Sequence, residues 1–250
     1  MVYTYKYPPV EVKDQPVSYG LAEEAWFGYP KLVTSIIETT SARRVADIGG
    51  GANPILTPDY IKEHQIKYTM IDIDASELAK APDCYDKLTG DVTSGLCGED
   101  NSYDVVFSAM LAEHVNDGGA LHRNLFRMLA PGGVAVHYFP TLYSPPFVIN
   151  KLIPERLAAH CLNFFNPRDR FQNAKFPAHY SWCRGPTKNQ LARLRDIGYE
   201  IQMYRGFFGH IYYRRIPLLR NVAASFAKYM LKHPVPQFTS FAHVVLRKPL

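Results

Sequence analysis

The stretch Val45-Ala46-Asp47-Ile48-Gly49-Gly50-Gly51-Ala52-Asn53-Pro54 constrains this chain more than any other. An apolar run leads to an aspartate, and three consecutive glycines follow. That order describes a buried strand ending in a tight turn, where bare backbone can press against a ligand. A second apolar run, Tyr68-Thr69-Met70-Ile71-Asp72-Ile73-Asp74, ends in acid. It lies roughly 20 residues on, where a nucleotide-binding α/β unit keeps its ribose-binding carboxylate. Together the two runs predict a site for a nucleoside-containing cofactor.

The rhythm continues along the chain. Val45–Ile48, Tyr68–Ile71 and Tyr103–Phe107 are short, apolar and bounded by Gly, Asp or Ser. Val134–Phe139 is a fourth such run, introduced by Pro131-Gly132-Gly133. Each reads as a buried parallel strand. Helices are expected over Glu77–Ala81 and Ala120–Leu129, where Leu121, Leu125, Met128 and Leu129 share a face. Later come a helix near Asn189–Ile197, a strand near Tyr199–Tyr204, a helix at Leu218–Leu231 and a last strand at Phe238–Arg247. Before the first strand, Leu32, Ile36 and Ile37 suggest a helix packed on the sheet, while Tyr19–Tyr29 either caps a ligand or packs. Strands alternating with helices predict an α/β fold, a mostly parallel sheet with helices on both faces.

We read residues 1–250 as a single domain. Within it, 1–41 is an N-terminal helical or capping segment and 42–140 the cofactor-binding core. Residues 141–186, rich in Pro, Phe, Tyr and Asn, read as an inserted acceptor cap over the carboxyl edge of the sheet. The C-terminal strands occupy 187–250, with a second insertion at 206–236.

Composition narrows the class. Hydrophobic residues make up 47% and charged residues 20% of the 250, as in an ordinary globular protein. No apolar run is long enough to span a bilayer, and Met1–Asp14 lacks the apolar centre of a signal peptide, so a cytoplasmic protein is expected. Cys84, Cys97, Cys161 and Cys183 are scattered, which suits plain thiols rather than a zinc site or disulfide framework. The net charge is +5, and from Arg184 to Lys232 basic residues far outnumber Asp196 and Glu200. Such a face is either a solvated surface or an attractor of phosphates, acidic glycans or anionic lipid.

Two cofactor classes use a strand, glycines, strand and acid in this order. A dinucleotide needs glycines at G-x-G-x-x-G to cradle its pyrophosphate. Gly49 and Gly51 fit, but the third place is Pro54, which offers no N–H, and this disfavours a nicotinamide oxidoreductase. S-adenosylmethionine has no phosphate and carries a sulfonium and an ammonium, which suit acids such as Asp47 and Asp91.

On these residues the chain resembles the class I S-adenosylmethionine-dependent methyltransferases, in the small-molecule branch called methyltransferase domain 11. Five stretches match in order: Val45–Gly51, Met70–Ile73, Thr89–Val92, Tyr103–Val115 and Arg127–Val136. The likeness covers roughly Ser41 to Pro140 and returns weakly at the last two strands. It implies a Rossmann-like, seven-stranded sheet. It also implies that Gly49, Gly50 and Gly51 let backbone approach the cofactor while Asp47 supports its amino-acid end. By the same resemblance Asp72 would accept from the ribose and Ile73 would pack on the adenine. Asp91 and Val92 would sit at the base edge, and Ser108, Ala109 and Met110 under the methionine. The chain departs from the pattern at Asn53, where the family keeps a third glycine. Asn tolerates φ > 0 and caps helices, and Pro suits a first helical turn. We expect an irregular loop from Gly51 to Thr57 and a helix starting near Pro58.

Methyl transfer is an in-line displacement at an activated carbon, so the enzyme aligns the acceptor and, for an alcohol, removes its proton. Glu113 and His114 follow the fourth expected strand, and His114 is the first candidate base; otherwise it only positions the loop beside the cofactor. His179, in an aromatic and polar setting, is a second candidate. His137 reads as a core histidine, and Tyr143 and Tyr180 as packing residues or orienters of a hydroxyl. Glu113, His114, Asp117 and His179 are the residues from which a Mg2+ site would be drawn, but no metal is predicted. Phe164, Phe165, Phe171 and Phe176, interleaved with Arg168, Asp169, Arg170, Gln172 and Asn173, suit a polyhydroxy ring or a small core of their own. Leu218, Leu219, Val222, Phe226, Met230 and Leu231 form an apolar stripe, expected to pack on the domain, with a membrane-surface helix as the alternative.

The expected activity is S-adenosylmethionine-dependent O-methylation of a small-molecule acceptor such as a sugar, glycan or glycolipid, including acidic or phosphorylated ones. The alternatives are an RNA or protein methyltransferase and a catalytically inactive, cofactor-binding regulator. No accessory nucleic-acid module is visible, and at most peripheral membrane contact is expected.

Overall fold

The computed structural model describes residues 16–94, 97–143, 177–210 and 217–250. In chain order its strands are β1 Val17–Leu21, β2 Arg44–Ile48, β3 Lys67–Asp72, β4 Asp86–Thr89, β5 Tyr103–Ala109, β6 Leu129–Pro140, β7 Glu200–Phe208 and β8 Phe241–Arg247. The helices are α1 Ala22–Thr40, α2 Pro58–Glu63, α3 Ala75–Leu78, α4 Gly118–Met128, α5 Lys188–Ile197 and α6 Pro217–Lys232.

The sheet order is β1-β7-β8-β6-β5-β2-β3-β4. Every neighbouring pair is parallel except the two involving β8, which runs against β6 and β7. Seven strands therefore end at one carboxyl edge. Alternate residues on the central strands enter different cores. Ala46, Ile48, Val106 and Ala135 pack with Leu121, Leu125 and Leu194 of α4 and α5. Val45, Val105, Phe107 and Val136 pack with Leu32, Val33, Ile36 and Ile37 of α1. Both faces are buried, which is why these strands read as continuous apolar runs rather than alternations.

The sheet has eight strands where seven were expected. The additional one is β1, in register with β7 from Val17↔Tyr204 to Leu21↔Phe208, and Tyr19 stacks on Phe208 at 5.4 Å. Part of the expected capping stretch Tyr19–Tyr29 thus satisfies the open edge of β7. β4 was not expected as a strand: it is short, largely exposed and polar (Asp-Lys-Leu-Thr), so periodicity does not reveal it. Helix starts follow caps rather than apolar periodicity. α3 begins behind Asp74, which accepts from Ser76 N–H at 2.8 Å, and α4 begins behind Asp117, which accepts from Ala120 N–H at 2.9 Å. β7 runs on to Phe208, past the expected insertion boundary at 206, and a 3-10 turn at Pro236–Phe238 delays β8 to Phe241. Cys161 and the Phe164–Phe176 cluster lie outside the described residues, whereas Cys84, Cys97 and Cys183 are free thiols. Among the described residues no helix is long and apolar enough to cross a membrane.

Candidate active site

The glycine loop leaves β2 at the carboxyl edge. Gly49 has φ +72, and a Cβ there would come 2.7 Å from a Leu111 methyl group, so left-handed backbone and close packing both require glycine. At Gly50 an added Cβ would lie 2.7 Å from the Asp47 carboxyl carbon, so the acid sits directly against main chain. Gly51 faces Asp72 Oδ2 and Glu77. Asn53 N–H donates to Gly50 O at 2.9 Å; its backbone is not left-handed. The loop then runs irregularly to Thr57, which caps a helix starting at Pro58, as expected from the sequence.

Asp47 is 2% exposed. Burial pushes its carboxyl up to about 7, against the Tyr68 hydroxyl and the Ile55 N–H that stabilise the charge, and nearby Asp72 raises it further. Tyr68 donates to Asp47 Oδ2 at 2.6 Å. No ion pair joins Asp47 to a described residue. A buried carboxyl in that state suits a cationic ligand, whose charge would hold it ionised.

At the end of β3, Asp72 is half-buried and accepts from Asp74 N–H at 2.9 Å. Ile73 is 67% exposed, an apolar surface beside that carboxylate. Asp91 is exposed, and its Oδ1 accepts from Thr93 N–H and Thr93 Oγ at 2.8 and 2.7 Å. Val92 is different. Its side chain is in the core and its carbonyl accepts from Asn124 at 2.8 Å, so only its N–H can address a ligand at this edge.

After β5 the chain bends at Met110 (φ +54), whose N–H donates to Tyr138 O at 2.8 Å. Ser108 is buried, its hydroxyl bonded to His137 Nδ1 at 2.8 Å and its carbonyl accepting from Tyr29 OH at 2.7 Å. Its side chain is thus committed to the core, and Ala109 and Met110, each half-buried, are what this strand end presents. His137 is fully buried and 5.1 Å from the ring of His122. Burial and that neighbour hold it well below the usual histidine range, so it stays neutral.

The expected chemical residues converge. Glu113 and His114 occupy a 3-10 turn, Ala112–His114. The carbonyl of Glu113 accepts from His179 N–H at 2.7 Å and Tyr180 N–H at 2.9 Å. His114 Nδ1 lies 3.0 Å from Pro177 O, which fixes Nδ1–H as the donor and leaves the lone pair on Nε2 in the neutral ring. His114 Nε2 is 3.7 Å from Glu113 Oε1. Glu113 is 3% exposed with Oε2 lacking a hydrogen-bond partner, and burial pushes it up to about 8. It is neutral at pH 7. Residues more than 60 apart in sequence are thus stapled over the end of β5, with Tyr180 buried and Tyr143 half-exposed under the Arg184 guanidinium. Asp117 stands apart as the α4 cap, paired with Arg123 at 3.9 Å. Among the described residues no cluster of three or more His, Cys, Asp or Glu is arranged around a common metal position.

Sequence reasoning missed Tyr68, Leu111 and the Pro177 carbonyl. Tyr68 carried a usable signal, a tyrosine in a strand paired with the strand that ends in Asp47.

Residues 46–137, which hold β2 through most of β6, match the family model described as a methyltransferase domain. The match to the methyltransferase domain covers 92 of the 250 residues and coincides with the strands that build the glycine loop and the acidic edge. A search of curated proteins finds no match. Among solved structures, the chain is similar to phosphoethanolamine N-methyltransferase 2 of Haemonchus contortus bound to phosphomonomethylethanolamine and S-adenosylhomocysteine. The two share 15% identity and a TM-score of 0.57 over 90% of this chain and 53% of that one. The chain therefore spans about half the length of that protein. It is also similar to an S-adenosylmethionine-dependent methyltransferase of Mesorhizobium loti (18% identity, TM-score 0.52, 88% and 96% of the two chains). A third structure, from Archaeoglobus fulgidus, is described likewise (16% identity, TM-score 0.51, 90% and 97%). At these identities the likeness is one of fold.

Proposed function

We propose that this chain transfers the methyl group of S-adenosylmethionine to a hydroxyl of a small-molecule acceptor, of sugar, glycan or glycolipid type. The observation that carries the reading is the meeting of Glu113, His114 and His179 beyond the end of β5, on the sheet edge that also holds the glycine loop. Asp72 accepts the ribose hydroxyls, Ile73 covers the adenine, and Asp91 with the Val92 N–H meets the base edge. Asp47, through the Gly49–Gly51 backbone, favours the cationic amino-acid end. S-adenosylmethionine supplies a methyl group on a sulfonium, so the remaining work is alignment and removal of one proton. His114 Nε2 takes that proton, while Pro177 O holds the ring in the required tautomer. As the imidazole becomes cationic, Glu113 Oε1 at 3.7 Å gains a favourable interaction on ionising.

The test is methyl transfer from labelled donor to a panel of sugars, phenols, glycolipid headgroups and phosphorylated amines. A hydroxyl acceptor should be methylated, and His114→Ala should slow turnover by about 100-fold or more while leaving S-adenosylhomocysteine affinity intact. Phosphorylated amines belong in the panel because the Haemonchus contortus enzyme is named for one. Transfer to amines alone, or an unimpaired His114→Ala enzyme, would overturn the O-methylation reading.

A further inference from the structure

Helix α6 packs at the carboxyl ends of β1 and β7. Ala227 and Met230 are its buried contacts, closing on Phe208 with Tyr19, Leu21 and Val235. Residues of the expected apolar stripe point elsewhere: Leu218 is 77% exposed, Val222 58% and Phe226 49%. Tyr229, which the stripe did not include, is 57% exposed. At 100° per residue these four fall within about an 80° arc opposite Ala227, with Met230 at its border. Phe238 extends the patch, 6.2 Å from Phe226 and 46% exposed. The Leu219 side chain lies outside the described residues.

An apolar outer face needs an occupant, and the charge around it says which. The helix PLLRNVAASFAKYMLK contains no acid. Arg220, Lys228 and Lys232 are exposed on it, and none pairs with a carboxylate among the described residues. Large apolar groups including a tyrosine, flanked along one side by Lys228 and Lys232, match an anionic bilayer surface, whereas Arg220 lies on the Ala227 side of the helix. A second copy of the chain fits less well, since it would bring the same three cations and a net charge of +5 against themselves. Between α6 and the ends of β1 and β7 lies a cavity of about 190 Å³ lined by Glu23, Arg220 and Lys228.

We infer that α6 docks this protein on anionic membrane, with Leu218, Val222, Phe226 and Tyr229 entering the headgroup boundary and Lys228 and Lys232 holding the phosphates. This inference does not depend on the acceptor proposed above.

Co-sedimentation of the full chain with vesicles tests it. Binding should be strong to phosphatidylcholine containing about 30 mol % phosphatidylglycerol and at least about tenfold weaker to phosphatidylcholine alone. Val222→Glu with Phe226→Glu should abolish it, and Lys228→Glu with Lys232→Glu should weaken it by about tenfold or more. All four positions are exposed, and retained S-adenosylhomocysteine affinity shows that each variant is folded. Indifference of wild type to vesicles of either kind would overturn the inference. So would equal binding by all variants, or light scattering that shows a dimer dissociated by the Val222/Phe226 change without vesicle binding.

Discussion

The two ends of the carboxyl edge differ in charge, one acidic and the other mixed. At the β2–β3–β4 end stand Asp47, Asp72, Asp74 and Asp91; at the β1–β7 end Arg205, Arg220 and Lys228 stand with Glu23 and Glu24 among them. Four strand spacings, about 19 Å, separate β2 from β7. The acidic end buries one carboxyl that no cation among the described residues pairs, and this fits a ligand that brings its own positive charge. The mixed end differs inside and out. Arg205 is paired with Glu24 at 2.6 Å under cover of the fold, whereas Arg220 and Lys228 are exposed. A parallel sheet supplies the same edge geometry to both ends, so the difference in what each can hold lies in side chains alone.

The largest expected effect falls at the acidic end. Asp72→Ala removes the carboxylate proposed to accept from two ribose hydroxyls. With charge-assisted bonds at about 1.5–3 kcal/mol each, S-adenosylhomocysteine should bind at least about 100-fold more weakly. Calorimetry giving an affinity equal to wild type would dissolve the contrast between the two ends.

Midway along the edge, Glu113 belongs to neither end, since it is buried and neutral. Its folded value of about 8 stands above an ordinary 4.5, and Asp47 at about 7 stands above 3.8. Raised carboxyls stabilise the fold below the unfolded value, and that contribution erodes as pH climbs to the folded value. Buried His122 and half-buried His210 at about 4, His243 at about 3 and His137 held well below its usual range act oppositely and outnumber the carboxyls, favouring the fold as pH rises toward 6.5. Stability should therefore peak near pH 6.5 and fall by about 2 kcal/mol by pH 8. Urea unfolding across that range measures the fall, and Glu113→Gln should remove most of it. A flat wild-type profile would show that Glu113 is ionised in the native protein.

Asp47 gives a smaller, ligand-linked effect. A cationic ligand favours its ionised form, so S-adenosylmethionine should bind about tenfold more weakly at pH 6 than at pH 8. Calorimetry in buffers of different ionisation enthalpy should detect a proton released on binding near pH 6. Asp47→Asn should bind weakly with no such release; release that persists in this variant would move the effect to another group.

How much of this was legible beforehand follows from sequence distance. The glycine loop, Asp72 and the helix start at Pro58 are local, because each needs only a strand period, a turn residue or a cap within a few positions. The meeting of Glu113 with His179 and of His114 with Pro177 depends on where a distant segment docks, which no local pattern encodes. β1 was obscured because an edge strand of five residues in a Tyr-rich stretch reads equally as cap or strand. Ser108 was assigned to the ligand, yet its hydroxyl turns inward to His137, since a residue at a strand end can face either way. α6 packs on the domain as expected, but of the stripe's described residues only Met230 faces inward, while Leu218, Val222 and Phe226 face out. Two small contacts, Ala227 and Met230, suffice to seat it, and the larger apolar residues remain outside.

The smallest effect separates the acid from its support. Tyr68 lies in β3 opposite Val45, and its hydroxyl reaches Asp47 Oδ2 at 2.6 Å. Burial and the neighbouring carboxyl push the phenol far up, so it remains a donor at any working pH. Donation favours the ionised acid. In Tyr68→Phe the ring still fills the core beside Phe107 and Tyr85, but the Asp47 carboxyl should titrate higher. At pH 7 a larger fraction is then protonated, and S-adenosylmethionine affinity should drop by about three- to tenfold. At pH 9 the acid is ionised again and most of the loss should vanish. A loss independent of pH would mean that the hydroxyl positions the loop rather than tuning the charge, and the acidic end would then owe its selectivity to shape.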